Sequence, residues 1–552
     1  MEESQAFQSC HFAVPSPCGL YVASLTQQNL YVQYASSLLP AFTFPLDDPS
    51  QPKIVAENQS IQWSSSSNYL MMVSTQGVHA YSLQDSTINI HVSNGSASLG
   101  KIQAAEILSD GGKAQLMVIW EFGRVNLWDL STGRATEVGD LKMGGKGNPW
   151  GLRRCKGRPE VLVLLMRKDA QDVLSFYLPP SPTPFRSITL PTIDVQSIAW
   201  SACGQWLSVL DSPLSSKQLQ IYSADGFLYR QCPATTHPTP PSTPHKEPQD
   251  LCLGYRSAVW SSVLLALSEA QSISFLNTRT FSTKFSLSLN SIRTEFRSLE
   301  DNIVAYQETI NAAGQRSYDL LTGQTIPVPI PKSSIIDVRF NRSGSFLSCR
   351  DEGNDSALYI IDMTRRRVHS ILLQHTTLRR AVWHSTRSTL LLVLSDDGTI
   401  HIWDVASNSA PLHIPHSYEK RPEAGRIEAR WVCSTTSPTP EEDKLAILLT
   451  TRKAGFQLLW PQGKPDPSID QMRASVNGGA EEADVSEDSL YDILTGRTPL
   501  PELKVRQVEM EVDKEETEKL EDTFREKIGK VVEKVKDAGM QGESLEDDSE
   551  IF

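Results

Sequence analysis

Two short segments place the sharpest limit on what this chain can fold into. Arg124–Asp129 (RVNLWD) and Thr399–Asp404 (TIHIWD) alternate large apolar residues with other residues, and both end in Trp-Asp. Each follows a tight turn, at Phe122-Gly123 in the first case and Asp397-Gly398 in the second. Period-two alternation directly after a glycine turn predicts a β-strand that closes a hairpin.

Weaker copies of this unit recur along most of the chain. Each copy has an apolar strand, a turn rich in Ser, Gly and Asn, a second apolar strand, another turn, and a closing alternating strand. The closing strands are mostly spaced by about 42 to 49 residues, a period typical of repeat architectures. They fall near Tyr34, Tyr81, Trp128, Tyr177, Tyr222, Phe275, Tyr318, Ile361, Trp403 and Trp460.

The period and the Trp-Asp endings resemble those of WD40 repeats, so the sequence predicts an all-β, WD40-type β-propeller. One blade cannot bury both of its faces, whereas stacked blades in a closed ring can. About ten blade-like units are present, and the Pro-rich stretch Cys232–Pro248 divides them five and five. We therefore favour two lobes, residues 10–232 and 250–462, or one complete ring with an irregular second module, over a single ten-bladed ring. Tryptophans at blade starts are interpreted as core residues in preference to ligand-stacking aromatics.

The acidity of the chain is concentrated in a C-terminal tail, residues 463–552. From Gln471 to Phe552 there are 23 acidic and 11 basic residues, a net charge of −12 out of a total of −13. The first part of the tail is polar and predicted to be disordered. Residues 513–538 carry an amphipathic helical pattern that could dock on a partner helix or on the propeller, or remain a solvated single helix. The candidate partner-binding side chains are Leu520, Phe524, Ile528 and Val532.

Ser-Pro and Thr-Pro pairs occur in the polar insertions and the tail. Proline-directed phosphorylation there would place charge on surface loops. The alternative is that Pro, Ser and Thr are simply common loop residues. The candidate regulatory positions are Thr239, Thr243, Ser437, Thr439 and Thr498.

No reactive constellation stands out in the sequence. The glycines at Met143–Gly147 lack the order of a phosphate-binding loop, and Asp396-Asp397-Gly398 is better explained by a hairpin turn than by a metal site. His237 and His245 lie in the Pro-rich insertion, where no rigid scaffold would hold a ligand. We therefore predict a protein that is not an enzyme, with no catalytic, metal or cofactor-binding residues and no small-molecule substrate.

Bulk properties narrow the class further. No apolar run approaches the roughly 18 residues that a membrane helix needs. The nearly neutral body gives no electrostatic basis for binding nucleic acid. Eight scattered cysteines, the acidic N-terminus and the absence of a CxxC pair suit a reducing compartment, cytosolic or nuclear.

Within the WD40 superfamily, three regions resemble the WD-repeat protein eight family of spindle poles and centrosomes. The first looks like that family's opening blade, the second like its middle blade, and the third like its penultimate region. The third departs from the family, because Arg-Asp-Glu-Gly-Asn replaces an Arg-Asn-Asp-Asn-type loop, Ile361 replaces Trp, and the acidic tail is an addition. The segments are Ser16–Ser24; Ile198–Gly204 with Leu219–Gly226; and Phe340–Leu347 with Arg350–Asn354 and Leu358–Asp362.

The resemblance implies a non-enzymatic adaptor that helps to anchor microtubule minus ends at the spindle pole body or centrosome. Its implied partners are a coiled-coil anchoring protein and a minus-end-directed kinesin, and its implied location is the cytoskeleton, with nuclear localisation in mitosis. The alternative is a WD40 scaffold of another complex, such as a ubiquitin-ligase substrate receptor, a vesicle coat or an autophagy adaptor.

Overall fold

The structure is a computed structural model of the whole chain. It describes residues 1–46, 60–85, 89–93, 100–108, 113–144, 147–155, 157–215, 217–232, 255–269, 272–288, 303–321, 335–407, 409–420, 425–433 and 444–464. The chain divides into two compact units, Met1–Asn477 and Gly478–Phe552, and every described residue lies in the first. The only helices among the described residues are two short 3-10 turns, Val405–Ser407 and Ser417–Lys420.

The first unit consists of nine antiparallel sheets, which we number as blades 1 to 9. Consecutive strands pair within each blade, so each blade is a four-stranded meander. In blades 1 to 4 the strands are β2–β5 (Val14–Pro15, Tyr21–Leu25, Asn29–Tyr34, Pro40–Pro45), β6–β9 (Ser60–Trp63, Tyr69–Val73, Gly77–Ser82, Asn89–Ser93), β10–β13 (Ile102–Leu108, Gln115–Trp120, Arg124–Asp129, Ala135–Asp140) and β14–β17 (Trp150–Arg153, Val161–Lys168, Gln171–Tyr177, Pro184–Thr189).

The remaining blades follow the same plan, except that blade 7 carries an additional hairpin and blade 9 takes its fourth strand from the N-terminus. Their strands are β18–β21 (Ser197–Trp200, Trp206–Leu210, Leu219–Ser223, Leu228–Cys232), β22–β25 (Ser257–Trp260, Leu264–Ser268, Ser272–Asn277, Thr283–Ser288), β28–β31 (Ile335–Phe340, Phe346–Asp351, Asn354–Asp362, Arg367–Leu373) with the hairpin β26–β27 (Val304–Ile310, Arg316–Leu320), β32–β35 (Leu378–Trp383, Leu390–Ser395, Ile400–Asp404, Leu412–His413) and β36–β38 (Ile427–Val432, Ala446–Thr451, Phe456–Trp460) with β1 (Glu2–Glu3).

The core is divided into nine apolar clusters, one between each pair of neighbouring blades. The second strands are largely buried, and β11 (QLMVIW) and β33 (LLLVLS) are buried along their whole length, because both of their faces contact a neighbouring blade. The series includes a cluster between blades 9 and 1, so the nine blades form a closed ring.

The ring closes through the first residues of the chain. Glu2 and Glu3 pair with Trp460 and Leu459, which makes β1 the outer strand of blade 9. Phe7 and Phe456 exchange two backbone hydrogen bonds of 2.9 Å, and their rings stack at 5.3 Å. This pairing covers the outer edge of β38, which would otherwise be open to other strands.

The predicted all-β propeller is confirmed, but the predicted count of about ten blades is wrong. Nine of the ten expected closing strands are the third strands of blades. The tenth, near Tyr318, belongs to the hairpin β26–β27, which pairs in parallel with β31 at the outer edge of blade 7. An amphipathic hairpin has the same alternation as a blade strand, so the sequence pattern could not distinguish the two.

The Trp-Asp segments also occupy a different position from the one expected. Trp128 and Trp403 end the third strands of blades 3 and 8, and a fourth strand lies outside each of them. Strand β13 (ATEVGD) is mostly exposed and polar, so it has little apolar pattern to read. The fourth strands were therefore missing from the sequence interpretation.

The expected division into lobes 10–232 and 250–462 does not appear as two compact units among the described residues. Blades 5 and 6 lie on either side of the Pro-rich stretch, yet Leu210 and Ile221 of blade 5 pack with Leu265 and Leu276 of blade 6. The segment itself and the predicted tail helix at 513–538 lie outside the described residues.

Gly455 provides a test of ring closure. It has φ of +88°, and a Cβ atom there would lie 1.8 Å from the carbonyl oxygen of Phe7. Gly455→Ala should therefore force the N-terminal segment away from blade 9. The free energy of unfolding should fall by more than the left-handed backbone penalty of about 1–2 kcal/mol, and the midpoint of thermal unfolding should fall with it.

Gly133→Ala is the matched control for that change. Gly133 has φ of +68°, but nothing lies within 4 Å of its added Cβ, so only the backbone penalty applies. Equal unfolding midpoints for the two variants would contradict the closing role of the Phe7–Phe456 pairing.

Candidate protein-interaction surfaces

The meander of each blade gives the ring two different faces. Turns between first and second strands and between third and fourth strands emerge on one side, which we call the turn face. Turns between second and third strands and the connections to the next blade emerge on the other side, which we call the crossover face. A partner that binds the ring can contact one of these faces or the outer rim, which the fourth strands form in most blades.

On the turn face, a polar side chain fixes the first turn of several blades. Its oxygen accepts a hydrogen bond from the backbone N–H five residues later, which holds the turn without help from the rest of the fold. The pairs are Ser16 with Tyr21 (3.0 Å), Ser64 with Tyr69 (3.1 Å), Ser201 with Trp206 (3.0 Å) and Asn341 with Phe346 (3.0 Å). The segments that resemble the spindle-pole family include three of these four turns, so much of that resemblance lies in residues that shape blades.

Neighbouring blades are joined near the axis by tryptophans of the first strands. The indole N–H of each donates to a carbonyl oxygen of the preceding blade's first strand, and its ring packs between the two blades. The pairs are Trp63 with Val14 (3.0 Å), Trp260 with Ala199 (3.2 Å), Trp383 with Arg339 (3.3 Å) and Trp431 with Val382 (3.0 Å). These indoles are therefore used within the fold and do not form a ligand-stacking surface.

On the crossover face, buried polar side chains hold the connections between blades. Lys142 Nζ binds Asp172 Oδ2 at 2.9 Å and the carbonyl oxygen of Val195 at 3.0 Å, and Asp172 also accepts the N–H of Val195 at 2.8 Å. Gln218 makes two hydrogen bonds of 2.7 Å with the backbone of Tyr255. These side chains bind one another and the backbone of the connections, so their hydrogen bonds serve to position the connections.

A second ionisable cluster joins the additional hairpin of blade 7 to blade 8. Arg316 binds Glu308 at 2.9 Å and Asp397 at 2.7 Å, so one guanidinium bridges carboxylates from blades 7 and 8. Glu308 also accepts the N–H of His375 at 2.8 Å. The cluster therefore clamps the hairpin over blade 8.

His401 completes this cluster and remains neutral. It is fully buried, and burial, together with the charges of His413 and Arg316, lowers its pKa to about 3. Its Nε2 lies 3.5 Å from a carboxylate oxygen of Glu308, but Arg316 already neutralises that carboxylate. No set of His, Cys, Asp and Glu side chains among the described residues has the geometry to hold a metal ion.

One open groove lies on the turn face between blades 8 and 9, with a volume of about 680 Å³. Its lining includes the apolar side chains of Leu390, Ile402, Leu412 and Leu445 and the charged side chains of Arg387 and Asp404. Leu412 is 63% exposed. An open groove lined by apolar side chains and by charges of both signs suits a segment of polypeptide better than an enclosed small molecule.

The candidate site residues from the sequence lie outside the described residues. These are Leu520, Phe524, Ile528 and Val532 of the tail stripe, and Thr239, Thr243, Ser437, Thr439 and Thr498 of the Ser-Pro and Thr-Pro pairs. His237 and His245 lie outside as well.

Among the motifs weighed for chemistry, Asp396-Asp397-Gly398 can be placed. It forms the turn between β33 and β34, as the hairpin interpretation predicts. Asp397 binds Arg316 and Asp396 binds Arg379, both as ion pairs that join structural elements. No local sequence pattern indicates the groove or the cluster of Arg316, Glu308 and Asp397, because each depends on residues that are distant in sequence.

The indole hydrogen bonds can be tested by comparing tryptophans. Trp431→Phe should destabilise the protein more than Trp200→Phe, because the indole N–H of Trp431 is hydrogen-bonded, whereas that of Trp200 has no partner among the described residues. The expected difference is about 1 kcal/mol in the free energy of unfolding, measured by urea denaturation. Equal losses would contradict the role of the indole bond.

The buried imidazole of His401 predicts a pH dependence. In the unfolded chain it gains a proton near pH 6.5, but in the fold only near pH 3, so the unfolded state binds more protons between these values. Stability should therefore be greatest above about pH 6.5 and fall as the pH decreases, by up to about 1.4 kcal/mol per pH unit for this one group. His401→Gln should reduce the difference in urea midpoint between about pH 7 and about pH 5. An unchanged difference would contradict the burial of a neutral imidazole.

No helix in the described part of the chain is long and apolar enough to span a membrane.

Comparison with known proteins gives one curated relative and several similar structures, whereas no protein-family model matches. The relative is an uncharacterized WD repeat-containing protein of Schizosaccharomyces pombe, 23% identical over 286 residues, which cover 50% of this chain and 55% of the relative. The chain thus matches about half the length of that relative.

Several solved structures with similar folds are distant in sequence. One is a eukaryotic initiation factor, with 13% identity, coverage of 73% of this chain and 87% of that chain, and a TM-score of 0.45. Another is the C-terminal WD40 domain of Sif2, with 10% identity, coverage of 75% of this chain and 97% of that chain, and a TM-score of 0.40. A third is the dihydro-heme d1 dehydrogenase NirN, with 10% identity, coverage of 73% of this chain and 75% of that chain, and a TM-score of 0.41. These scores are too low to carry an argument about function. The nine-bladed ring is a β-propeller, and half of the chain is similar in sequence to a WD repeat-containing protein.

Proposed function

We propose that this protein is a non-enzymatic scaffold in a complex that anchors microtubule minus ends at the spindle pole or centrosome. The observation that carries the scaffold role is the closed ring of nine blades, which presents two faces and a rim on one framework. A framework of this kind can hold several proteins at once in fixed relative positions.

The buried ionisable groups bind other parts of the same fold, which supports a scaffold in preference to an enzyme. The Lys142–Asp172 pair and the Glu308–Arg316–His401 cluster are buried and bind parts of the fold to one another. The accessible features are instead a mixed groove between blades 8 and 9 and exposed apolar residues on the rim. Surfaces of this composition are suited to binding polypeptides.

The cellular role rests on the sequence resemblance to the WD-repeat protein eight family. The resembling segments contribute to blades 1, 5 and 7, so they are distributed around the ring. A coiled-coil spindle-pole anchoring protein and a minus-end-directed kinesin are the proposed partners. The proposed location is the cytoplasm at the spindle pole body or centrosome, and the nucleus in mitosis.

Affinity purification of the tagged full chain from dividing cells tests this proposal. We expect recovery of a coiled-coil anchoring protein and localisation of the tagged protein at spindle poles. Recovery of a cullin adaptor, coat subunits or autophagy proteins, with diffuse distribution through mitosis, would support a scaffold of another complex instead.

The tail stripe gives a second test. Phe524→Asp places a charge on the predicted apolar face, so it should reduce recovery of a helical partner without changing the unfolding of the propeller. Thr523→Asp adds the same charge outside the stripe Leu520, Phe524, Ile528 and Val532 and is the control. Equal partner recovery with both variants would mean that the stripe does not dock.

A further inference from the structure

Exposed aromatic residues are concentrated at one sector of the rim, where blades 4 and 5 reach the turn face. We call this the rim patch and define it as Leu178, Phe185, Arg186, Phe227, Leu228 and Tyr229. Four described aromatics are more than a third exposed, and three of them are here: Phe185 at 50%, Phe227 at 58% and Tyr229 at 53%. The apolar surface amounts to roughly 400 Å², the size at which a patch on a soluble protein is commonly functional.

The rim patch is held rigidly by both neighbouring blades. The guanidinium of Arg186, from the outer strand of blade 4, lies 3.7 Å from the ring centre of Phe227 in the last turn of blade 5. Tyr229 packs on Trp206, with ring centres 4.6 Å apart, and its hydroxyl donates to the carbonyl oxygen of Arg279 in blade 6. The surface is therefore already formed, and binding would require little ordering of its side chains.

The charges around the rim patch have one predominant sign. Arg186, Arg230 and Arg279 surround it, and no carboxylate of the described residues lies within ion-pair distance of any of the three. Arg230 donates to the carbonyl oxygen of Thr280 at 2.7 Å. The neighbouring turn contributes one acidic residue, Asp225. On such a surface, the carboxylates of a partner can pair with the arginines while its neighbouring apolar side chains pack on the exposed aromatic rings.

We propose that the rim patch binds a short segment of a partner protein in which Asp or Glu residues adjoin apolar side chains. This inference rests on the proposed scaffold function and assigns one of its binding surfaces. The aromatic rings of Phe185, Phe227 and Tyr229 receive the apolar side chains of the segment. Arg186, Arg230 and Arg279 pair with its carboxylates.

The described residues that flank 233–254 favour a separate protein over this segment of the same chain as the occupant. Cys232 lies at the end of β21 farthest from Phe227, and the backbone of Tyr255 is bound by Gln218 on the crossover face. Both flanking residues therefore lie on the opposite side of the ring from the rim patch.

A peptide-binding experiment tests the proposal. Short overlapping peptides covering each partner recovered with the tagged full chain are immobilised and probed with purified full-length protein. Two variants are compared, Phe227→Ser/Leu228→Ser and Arg186→Glu, with Phe122→Ser as the control. Phe122 is 66% exposed and lies in a turn of the crossover face, so its loss removes exposed apolar surface elsewhere.

We expect both rim-patch variants to bind a subset of peptides about tenfold or more weakly, and these peptides to combine acidic and apolar residues. The Phe122→Ser variant should bind them normally, and all variants should keep the unfolding midpoint of the wild type. If every peptide binds both rim-patch variants as it binds the wild type, or if the weakened peptides are basic, the inference is overturned although the scaffold function stands. Failure to recover any partner would overturn both.

Hydroxyl-radical labelling of the protein alone tests the alternative occupant. Free rings of Phe227 and Tyr229 should be oxidised at rates typical of exposed aromatics. Protection of both rings, lost on deletion of residues 233–254, would show that the chain covers its own rim patch and would contradict a partner site.

Discussion

The rest of the structure depends on the burial of both faces of every blade. Strands such as β11 and β33 are mostly apolar and buried along their whole length, so each sheet needs a neighbour on either side. A linear stack would leave two apolar sheet faces in water, whereas a ring leaves none. The energetically decisive contact is therefore the one between the last blade and the first. It is secured by the N-terminal strand against β38 and by the absence of a side chain at Gly455.

Polar groups give this apolar ring its specific geometry. Indole N–H groups join the first strands of adjacent blades, and Ser or Asn side chains fix the turns on the turn face. On the crossover face, Asp172, Lys142 and Gln218 bind the backbone of the blade connections. Each bond contributes only about 1 kcal/mol, but an unpaired buried partner would cost more, so these groups determine register and connection path.

Because the buried side chains hold the ring together, partners are expected to bind at its surface. The groove between blades 8 and 9 and the rim patch of blades 4 and 5 are separate and differ in character, one mixed in charge and the other flanked by arginines. Two dissimilar surfaces on one rigid framework are what an adaptor requires, since each can select a partner by different chemistry. Many of the residues that resemble a spindle-pole family lie in blade turns, so they define the framework more than the partners.

Local sequence patterns were enough to predict the repeat, the all-β class, the first strands that contain Trp63, Trp260, Trp383 and Trp431, and the nine third strands. These follow from alternation and turn residues, which are local properties of the chain. Long-range contacts were needed to show that the unit near Tyr318 is a hairpin added to blade 7, that outer strands such as the polar β13 complete the blades, and that the N-terminal strand closes one ring of nine. It also brought Phe185 and Arg186 beside Phe227, and Glu308 beside His401. Such contacts join residues far apart in sequence, and their energies depend on burial and on partners that no local pattern encodes.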